Sequence, residues 1–255
     1  MTETTTIGRT QSADIAVPEH DRELRFYARV LGTGDAPLWR DDLMNNAGTP
    51  VIGLGARSPE YEQLPLQWMP HIQVADVAVS VKNALSLGGK DVMHARNDDG
   101  ESLWAVLVDP NGAAFGIIPA QPATEPGSAL GSVGRICGLD LAVPDAAAAV
   151  YFYREVIGWS AVDVPADDAD GTFTNYELGD SSGQKAAEIR QARGGSARLP
   201  AVWILRLPVG DLAESLRRVA AEGAKVIKVV ADGDGEPVSA VVADPVGAVI
   251  GLVAG

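Results

Sequence analysis

The chain repeats itself. Phe26-Tyr27-Ala28-Arg29-Val30-Leu31-Gly32 returns as Phe152-Tyr153-Arg154-Glu155-Val156-Ile157-Gly158, and Val17-Pro18 returns as Val143-Pro144, both displaced by 126 residues. Further on, the stretch from Trp68 to Asp76 returns as Trp203 to Asp211. Asp109-Pro110-Asn111-Gly112-Ala113 likewise returns as Asp244-Pro245-Val246-Gly247-Ala248, both displaced by 135. Two constant displacements separated by one insertion of nine residues mean a duplicated domain, so any site has to be sought twice.

The 255 residues suffice for two domains of ordinary size, each with its own core. The reading is a loose tail over 1–9, one domain over 10–120, a Pro- and Gly-rich linker over 121–132 and a second domain over 133–255. Within each copy a short apolar strand, an amphipathic helix closed by glycine, and two or three strands occur twice. Leu24, Tyr27 and Leu31 give the first helix its apolar stripe, and Gly32, Gly88, Gly158 and Gly223 stand where left-handed C-caps are expected. Glu19, Asp76, Asp145 and Asp211 stand just ahead of the helices, where a carboxylate caps free N–H groups. The two Asp-Pro-x-Gly sequences read as hairpin turns. The fold class is α+β, built from four βαβββ modules.

A formal charge of −14 removes the clustered Lys and Arg that nucleic acid or an anionic membrane surface requires. No apolar run reaches the length of a membrane span and the first residues lack a leader's pattern, so a cytoplasmic protein is expected, monomeric or homodimeric, with a small molecule as its partner. Cys137 is single and reads as a core residue of an apolar strand; the three histidines are His20, His71 and His94.

Strand-Val-Pro-helix-Phe-Tyr-x-x-Val-x-Gly, a later strand-Asp-helix-Gly and the closing Asp-Pro-x-Gly-Ala resemble the vicinal oxygen chelate superfamily. That superfamily includes glyoxalase I, extradiol dioxygenases and the bleomycin- and fosfomycin-resistance proteins. More narrowly, the chain resembles tandem glyoxalase-like, hydroxylase-like proteins of actinobacteria. The resemblance covers residues from about Ser12 to Val253. It implies two tandem glyoxalase-like domains, each of two modules whose mixed sheet curls into a cup for a ligand. It does not by itself imply one chemistry.

The resemblance also implies metal-ligand positions, commonly His and Glu, on the first and last strand of each module. Here those positions hold Ser12, Gly53, Met69 and Gly116 in the first copy and Gly138, Glu188, Ile204 and Gly251 in the second. Glu188 alone is a usable ligand, whereas a divalent ion takes three or four converging donors. No metal and no cofactor is expected.

Strand side chains alternate, so residues two and four beyond a ligand position share its face. These are Asp14 and Ala16, His71 and Gln73, Asp140 and Ala142, and Arg206 and Pro208. Asp14 with His71 suits proton transfer near neutral pH, and Arg206 with Asp140 and Glu188 suits holding an enolate or carboxylate. The catalytic candidates are therefore Asp14, His71, Asp140, Glu188 and Arg206. The pocket candidates are Ser12, Met69, Gln73, Gly116, Gly138, Ile204 and Gly251, with Trp39, Trp104 and Tyr176 at the mouth. Trp68 and Trp203 read as core beneath the helices, and the insertion around 163–171 as a lid or an idle loop. Three functions stay open: a metal-independent enzyme moving protons on an apolar aromatic or polyketide-like molecule, a binding protein of the antibiotic-sequestering kind, and a metal-dependent glyoxalase or dioxygenase.

Overall fold

The computed structural model describes residues 5–34, 38–46, 48–121 and 132–255. Four modules follow one another. The first is β1 (Thr10–Val17), α1 (His20–Leu31), β2 (Trp39–Arg40), β3 (Leu43–Asn46) and β4 (Thr49–Ala56). The second is β5 (Met69–Val74), α2 (Val77–Ser86), β6 (Lys90–Arg96), β7 (Ser102–Val108) and β8 (Ala114–Pro119). The third is β9 (Gly138–Val143), α3 (Ala146–Ile157), β10 (Ser160–Asp168), β11 (Gly171–Gly179) and β12 (Lys185–Gln191). The fourth is β13 (Ile204–Val209), α4 (Leu212–Ala221), β14 (Lys225–Ala231), β15 (Pro237–Ala243) and β16 (Val249–Ala254). The α+β reading and the βαβββ repeat hold, in two mixed eight-stranded sheets ordered β2-β3-β4-β1-β5-β8-β7-β6 and β10-β11-β12-β9-β13-β16-β15-β14. Among the described residues no helix is long and apolar enough to cross a membrane.

Compactness does not follow the two copies. One compact unit takes Met1–Gln11, Met69–Pro126 and Gly138–Trp203; the other takes Ser12–Trp68, Gly127–Cys137 and Ile204–Gly255. Each unit thus joins one module from each copy, α2 packing on α3 in the first and α1 on α4 in the second. Most of the sequence stretch read as the linker, residues 122–131, lies outside the described residues.

The repeated signature residues explain this pairing. In the second unit Tyr27 Oη donates to Asp244 Oδ2 at 2.6 Å and receives the Trp68 indole N–H at 2.9 Å. In the first unit Tyr153 Oη donates to Asp109 Oδ2 at 3.1 Å and receives the Trp203 indole N–H at 2.9 Å. Each turn aspartate also ties its own hairpin through Oδ1, Asp109 to Asn111 N and Ala113 N, Asp244 to Val246 N and Ala248 N. Burial keeps both carboxyls above their ordinary pKa despite these bonds. The tyrosine of each copy therefore completes the turn of the other, and the buried polar groups are satisfied in pairs.

Helix ends follow local chemistry. Asp76, Asp145 and Asp211 accept from the backbone N–H three residues on, at 3.0, 2.9 and 2.8 Å. Glu19, one methylene longer, makes no side-chain cap and instead pairs with Arg22. Gly88, Gly158 and Gly223 adopt left-handed φ, whereas Gly32 ends α1 at φ −87°, so the expected left-handed closure fails there. Two other local readings change. Cys137 is half-buried just ahead of β9 rather than within a strand core. The nine-residue insertion is no irregular loop: it lengthens the antiparallel β10–β11 hairpin, whose Asp168 bonds Arg193 at 2.7 Å. Ile7 to Arg9, read as tail, are hydrogen-bonded within the first unit: Ile7 N to Ser181 Oγ at 2.9 Å and Trp159 Nε1 to Gly8 O at 2.7 Å. Gly8 is required there, since a Cβ would lie 2.5 Å from Trp159 Cδ1.

Candidate functional site

In the first unit β5 buries Ile72 and Val74 toward the helix side and turns Met69, His71 and Gln73 to the other face. β5 runs parallel to β8 with His71 opposite Gly116, and β8 runs antiparallel to β7 with Gly116 opposite Val106. Gly116 is one of the positions that the sequence resemblance marks for a metal ligand, and its missing side chain decides the geometry. A Cβ at 116 would sit 2.6 Å from His71 Cδ2, closer than real side chains come. The imidazole fills the space a ligand residue would use.

Around His71 the face is apolar. Met69 and Val106 are buried, and Trp104, two residues from Val106 and 38% exposed, stands on the same face as Gly116. Gln73 is 3% exposed; its Nε2 donates to Gln11 Oε1 at 2.8 Å, while its backbone pairs with Gly8 and Arg9. Gln73 thus anchors the incoming chain beside β5.

The same unit carries Asp140 opposite Glu188 on the parallel strands β9 and β12. Glu188 is 15% exposed and bonded on both oxygens, Oε1 to Lys185 Nζ at 2.5 Å and Oε2 to Arg190. Lys185 also bonds Glu177 Oε1 at 2.8 Å. Burial opposes the charge on Lys185, but its bonds to the two carboxylates outweigh burial and hold its pKa above the ordinary value. Gly138 opens β9. Tyr176 stands in the row of the fully buried Ile189, on the face opposite Glu188, so it packs toward the helix side instead of lining a mouth.

In the second unit β1 alternates cleanly: Ala13, Ile15 and Val17 are buried, while Ser12, Asp14 and Ala16 take the other face. Asp14 lies opposite Gly53, over which Leu43 Cδ2 would meet an added Cβ at 3.4 Å. On β13, Ile204, Arg206 and Pro208 share a face, with Arg206 opposite Gly251. A Cβ at 251 would meet Leu205 O at 3.2 Å, Ile204 Cγ2 at 3.4 Å and Arg206 Cγ at 3.6 Å, so the arginine stem lies in ordinary contact beside that glycine and does not fill its space as His71 fills that over Gly116. Trp39 stacks on Tyr27 at 6.3 Å and 21°, with its indole N–H enclosed; it belongs to the helix-side aromatic cluster, not to a pocket mouth. The counterpart in the first unit is Trp159 beside Tyr153 at 5.7 Å.

The structure sets His71 opposite Gly116 with Trp104 further along the same face, Asp140 opposite Glu188, Asp14 opposite Gly53, and Arg206 opposite Gly251. Asp14 and His71 fall in different compact units, as do Arg206 and Asp140. Sequence reading missed Glu23, which is fully buried on α1 beside Asp244 and has its pKa raised to about 8 by burial and by the Asp244 charge. Its signal was a carboxylate at the position that the other copy fills with Ala149.

The glyoxalase-like domain model matches residues 12–118 and 138–253, nearly the whole chain and once per copy. The chain belongs to the glyoxalase-like domain family, within the vicinal oxygen chelate superfamily. Solved structures with the glyoxalase-like arrangement include BphC, a halotolerant catechol dioxygenase, 15% identical at a TM-score of 0.57, with 98% of this chain and 87% of that one covered. The 2,3-dioxygenase LapB from Pseudomonas sp. KL28 is 14% identical at a TM-score of 0.55, over 98% and 93%. A mutant of 4-hydroxymandelate synthase from Streptomyces coelicolor is 10% identical at 0.53, also over 98% and 93%. At such identities the likeness is one of fold. No curated protein matches the chain.

The glyoxalase-like fold raises the question of a metal, and the residues do not fit one. Three of the positions that the sequence resemblance marks for ligands are Gly53, Gly116 and Gly251, which carry no donor, and the space over Gly116 is taken by the His71 ring. The fourth, Glu188, has both oxygens engaged by cations. Among the described residues no three His, Cys, Asp or Glu side chains are grouped to hold an ion.

Proposed function

We propose that this glyoxalase-like chain is a metal-independent enzyme that moves protons on an apolar aromatic or polyketide-like small molecule, in secondary metabolism. The observation that carries the reading is His71 over Gly116: a group able to take and give protons stands where the fold elsewhere provides a ligand residue. His71 Nδ1 or Nε2 removes a proton from an acidic C–H or O–H of the substrate and returns it at a second position. Met69, Val106 and Trp104 on the same face supply apolar and stacking surface and exclude water. In the second unit, separately from His71, Arg206 suits holding an enolate or carboxylate oxygen, a role for its planar guanidinium. Asp140 in the unit of His71, and Asp14 in the unit of Arg206, add a carboxylate to each, and Ser12, Gly138, Ile204 and Gly251 shape the strand faces.

The test is proton exchange. Incubation in D₂O with phenolic 1,3-dicarbonyl compounds, followed by NMR, gives deuterium at the acidic carbon, and His71→Gln lowers the rate at least about 100-fold with affinity changed only a few fold. A wild-type rate equal to that of buffer overturns the enzymatic reading.

A second reading, a small-molecule or antibiotic-binding protein, is favoured by one observation: Glu188 is spent on Lys185 and Arg190. Under that reading the ligand is recovered unchanged and undeuterated.

A further inference from the structure

We propose that Asp91, His94 and Ser102 form a second catalytic site, on the β6–β7 hairpin, that cleaves small activated carboxylic esters through an acyl-serine. Ser102 Oγ lies 2.9 Å from His94 Nε2, and His94 Nδ1 lies 3.1 Å from Asp91 Oδ2. A serine, a base within hydrogen-bond reach and a carboxylate orienting that base are the three roles nucleophilic catalysis requires, whatever their order in the chain. A carboxylate only accepts and a guanidinium only donates, so Asp91 and Arg96 compete for Nδ1; in the tautomer that serves the shorter Asp91 contact the hydrogen is on Nδ1 and the Nε2 lone pair is left for the Ser102 hydroxyl proton.

Strict strand alternation would separate these residues. Asp91 and His94 are three apart, and so are Ser102 and Ala105, the partner of His94. Two β-bulges correct both: the register shifts between Asp91 and Met93, skipping Val92, and between Ala95 and Arg96, skipping Leu103. Asp91 then faces with Leu107, His94 with Ala105, and Ser102 with Arg96, all on one side of the sheet.

The second copy supplies the control. β14 and β15 carry the same two bulges, between Val226 and Lys228 and between Val230 and Ala231. There the positions of Asp91, His94, Arg96 and Ser102 hold Val226, Val229, Ala231 and Pro237. The hairpin therefore forms without the polar network, and folding alone does not explain Asp-His-Ser in the first copy.

Access and charge fit an ester. Ser102 is half-buried, and Leu103, pushed out by the bulge beside it, is 44% exposed and offers apolar surface to an acyl chain. Arg96, opposite Ser102 in register, has its Nη2 3.3 Å from His94 Nδ1, and by turning toward Ser102 it is the cation this network offers a developing oxyanion. A flexible guanidinium in place of fixed backbone donors suits aryl esters, whose leaving groups need little help, and not amides.

Ser102 Oγ adds to the ester carbonyl as its proton passes to His94 Nε2. The adduct collapses, the bond to the aryl oxygen breaks, and the proton returns from Nε2 to that oxygen. Water then adds to the acyl-serine by the same route, releasing the acid and restoring Ser102.

The full chain is treated with a fluorophosphonate probe, then digested for mass spectrometry, and separately assayed with p-nitrophenyl acetate. The expected result is a phosphonyl adduct on Ser102, and hydrolysis that falls at least about 100-fold in Ser102→Ala and in His94→Ala. The labelling arm needs no variant, so a folding defect cannot mask it. Probe absent from Ser102, or Ser102→Ala hydrolysing as fast as the parent chain, overturns the proposal. Neither arm uses His71 or Arg206, so failure here is distinct from failure of the proton-transfer reading.

Discussion

Tyr27 of the first copy donates its hydroxyl proton to Asp244 of the second over 2.6 Å, and the duplicated chain makes the matching bond from Tyr153 to Asp109 over 3.1 Å. The residues that reveal the repeat are thus the residues that bind its modules into units. Tyr27→Phe leaves the Asp244 carboxyl and the Trp68 indole N–H buried without that partner, and costs about 1–3 kcal/mol. Urea denaturation of the variant, with a lower midpoint at an unchanged slope, is the check. An unaltered midpoint would mean that the bond contributes nothing to the unit.

Glu23, buried beside the same Asp244, makes stability depend on pH. Burial first, and the Asp244 charge second, raise its pKa from the ordinary 4.5 to about 8. The folded chain then holds a proton that the unfolded chain has lost between those values, so the contribution of Glu23 is full below about 4.5 and declines as pH rises to about 8. Arg22 opposes this shift and Glu19 adds to it, both from the start of α1. Glu23→Gln removes the titration. Denaturation midpoints at pH 5.5, 7 and 8.5 should show the parent losing ground to the variant as pH rises; parallel pH profiles would refute the raised pKa of Glu23.

The glycine positions separate two kinds of space. Gly116→Ala drives a Cβ to 2.6 Å from the His71 ring and should displace the imidazole, lowering proton exchange as His71→Gln does and costing about 1–3 kcal/mol. Gly53→Ala meets Leu43 Cδ2 at an ordinary 3.4 Å and should leave exchange unchanged. The His71 ring resonances in an NMR spectrum report both directly, shifted in the first variant and unmoved in the second.

Much of the architecture was legible in the chain because it rests on local rules. Three aspartate caps, two Asp-Pro-x-Gly turns and the in-out alternation of β1 and β13 follow from short-range chemistry that the repeat prints twice. Glu19 and Gly32 departed because one methylene and one dihedral decide a helix end. The pairing of modules from different copies was not legible, since Tyr27 and Asp244 are 217 residues apart and nothing local couples them. Of the candidate site, the face holding His71, Gly116 and Trp104 emerged by counting in twos. Tyr176 and Trp39 did not, because they lie on strands whose register the repeat leaves undetermined. Asp91, His94 and Ser102 escaped for the same reason: two bulges reverse the parity that counting assumes.

The account stands on Gly53, Gly116 and Gly251 offering no donor, with the His71 ring over Gly116 and Glu188 held by Lys185 and Arg190. Elemental analysis of the purified chain, followed by calorimetric titration with Fe²⁺, Mn²⁺ and Zn²⁺, tests it most directly. The expected result is substoichiometric metal, no saturable uptake, and proton exchange indifferent to a chelator. One ion per chain, released by Glu188→Gln and required for exchange, would contradict it.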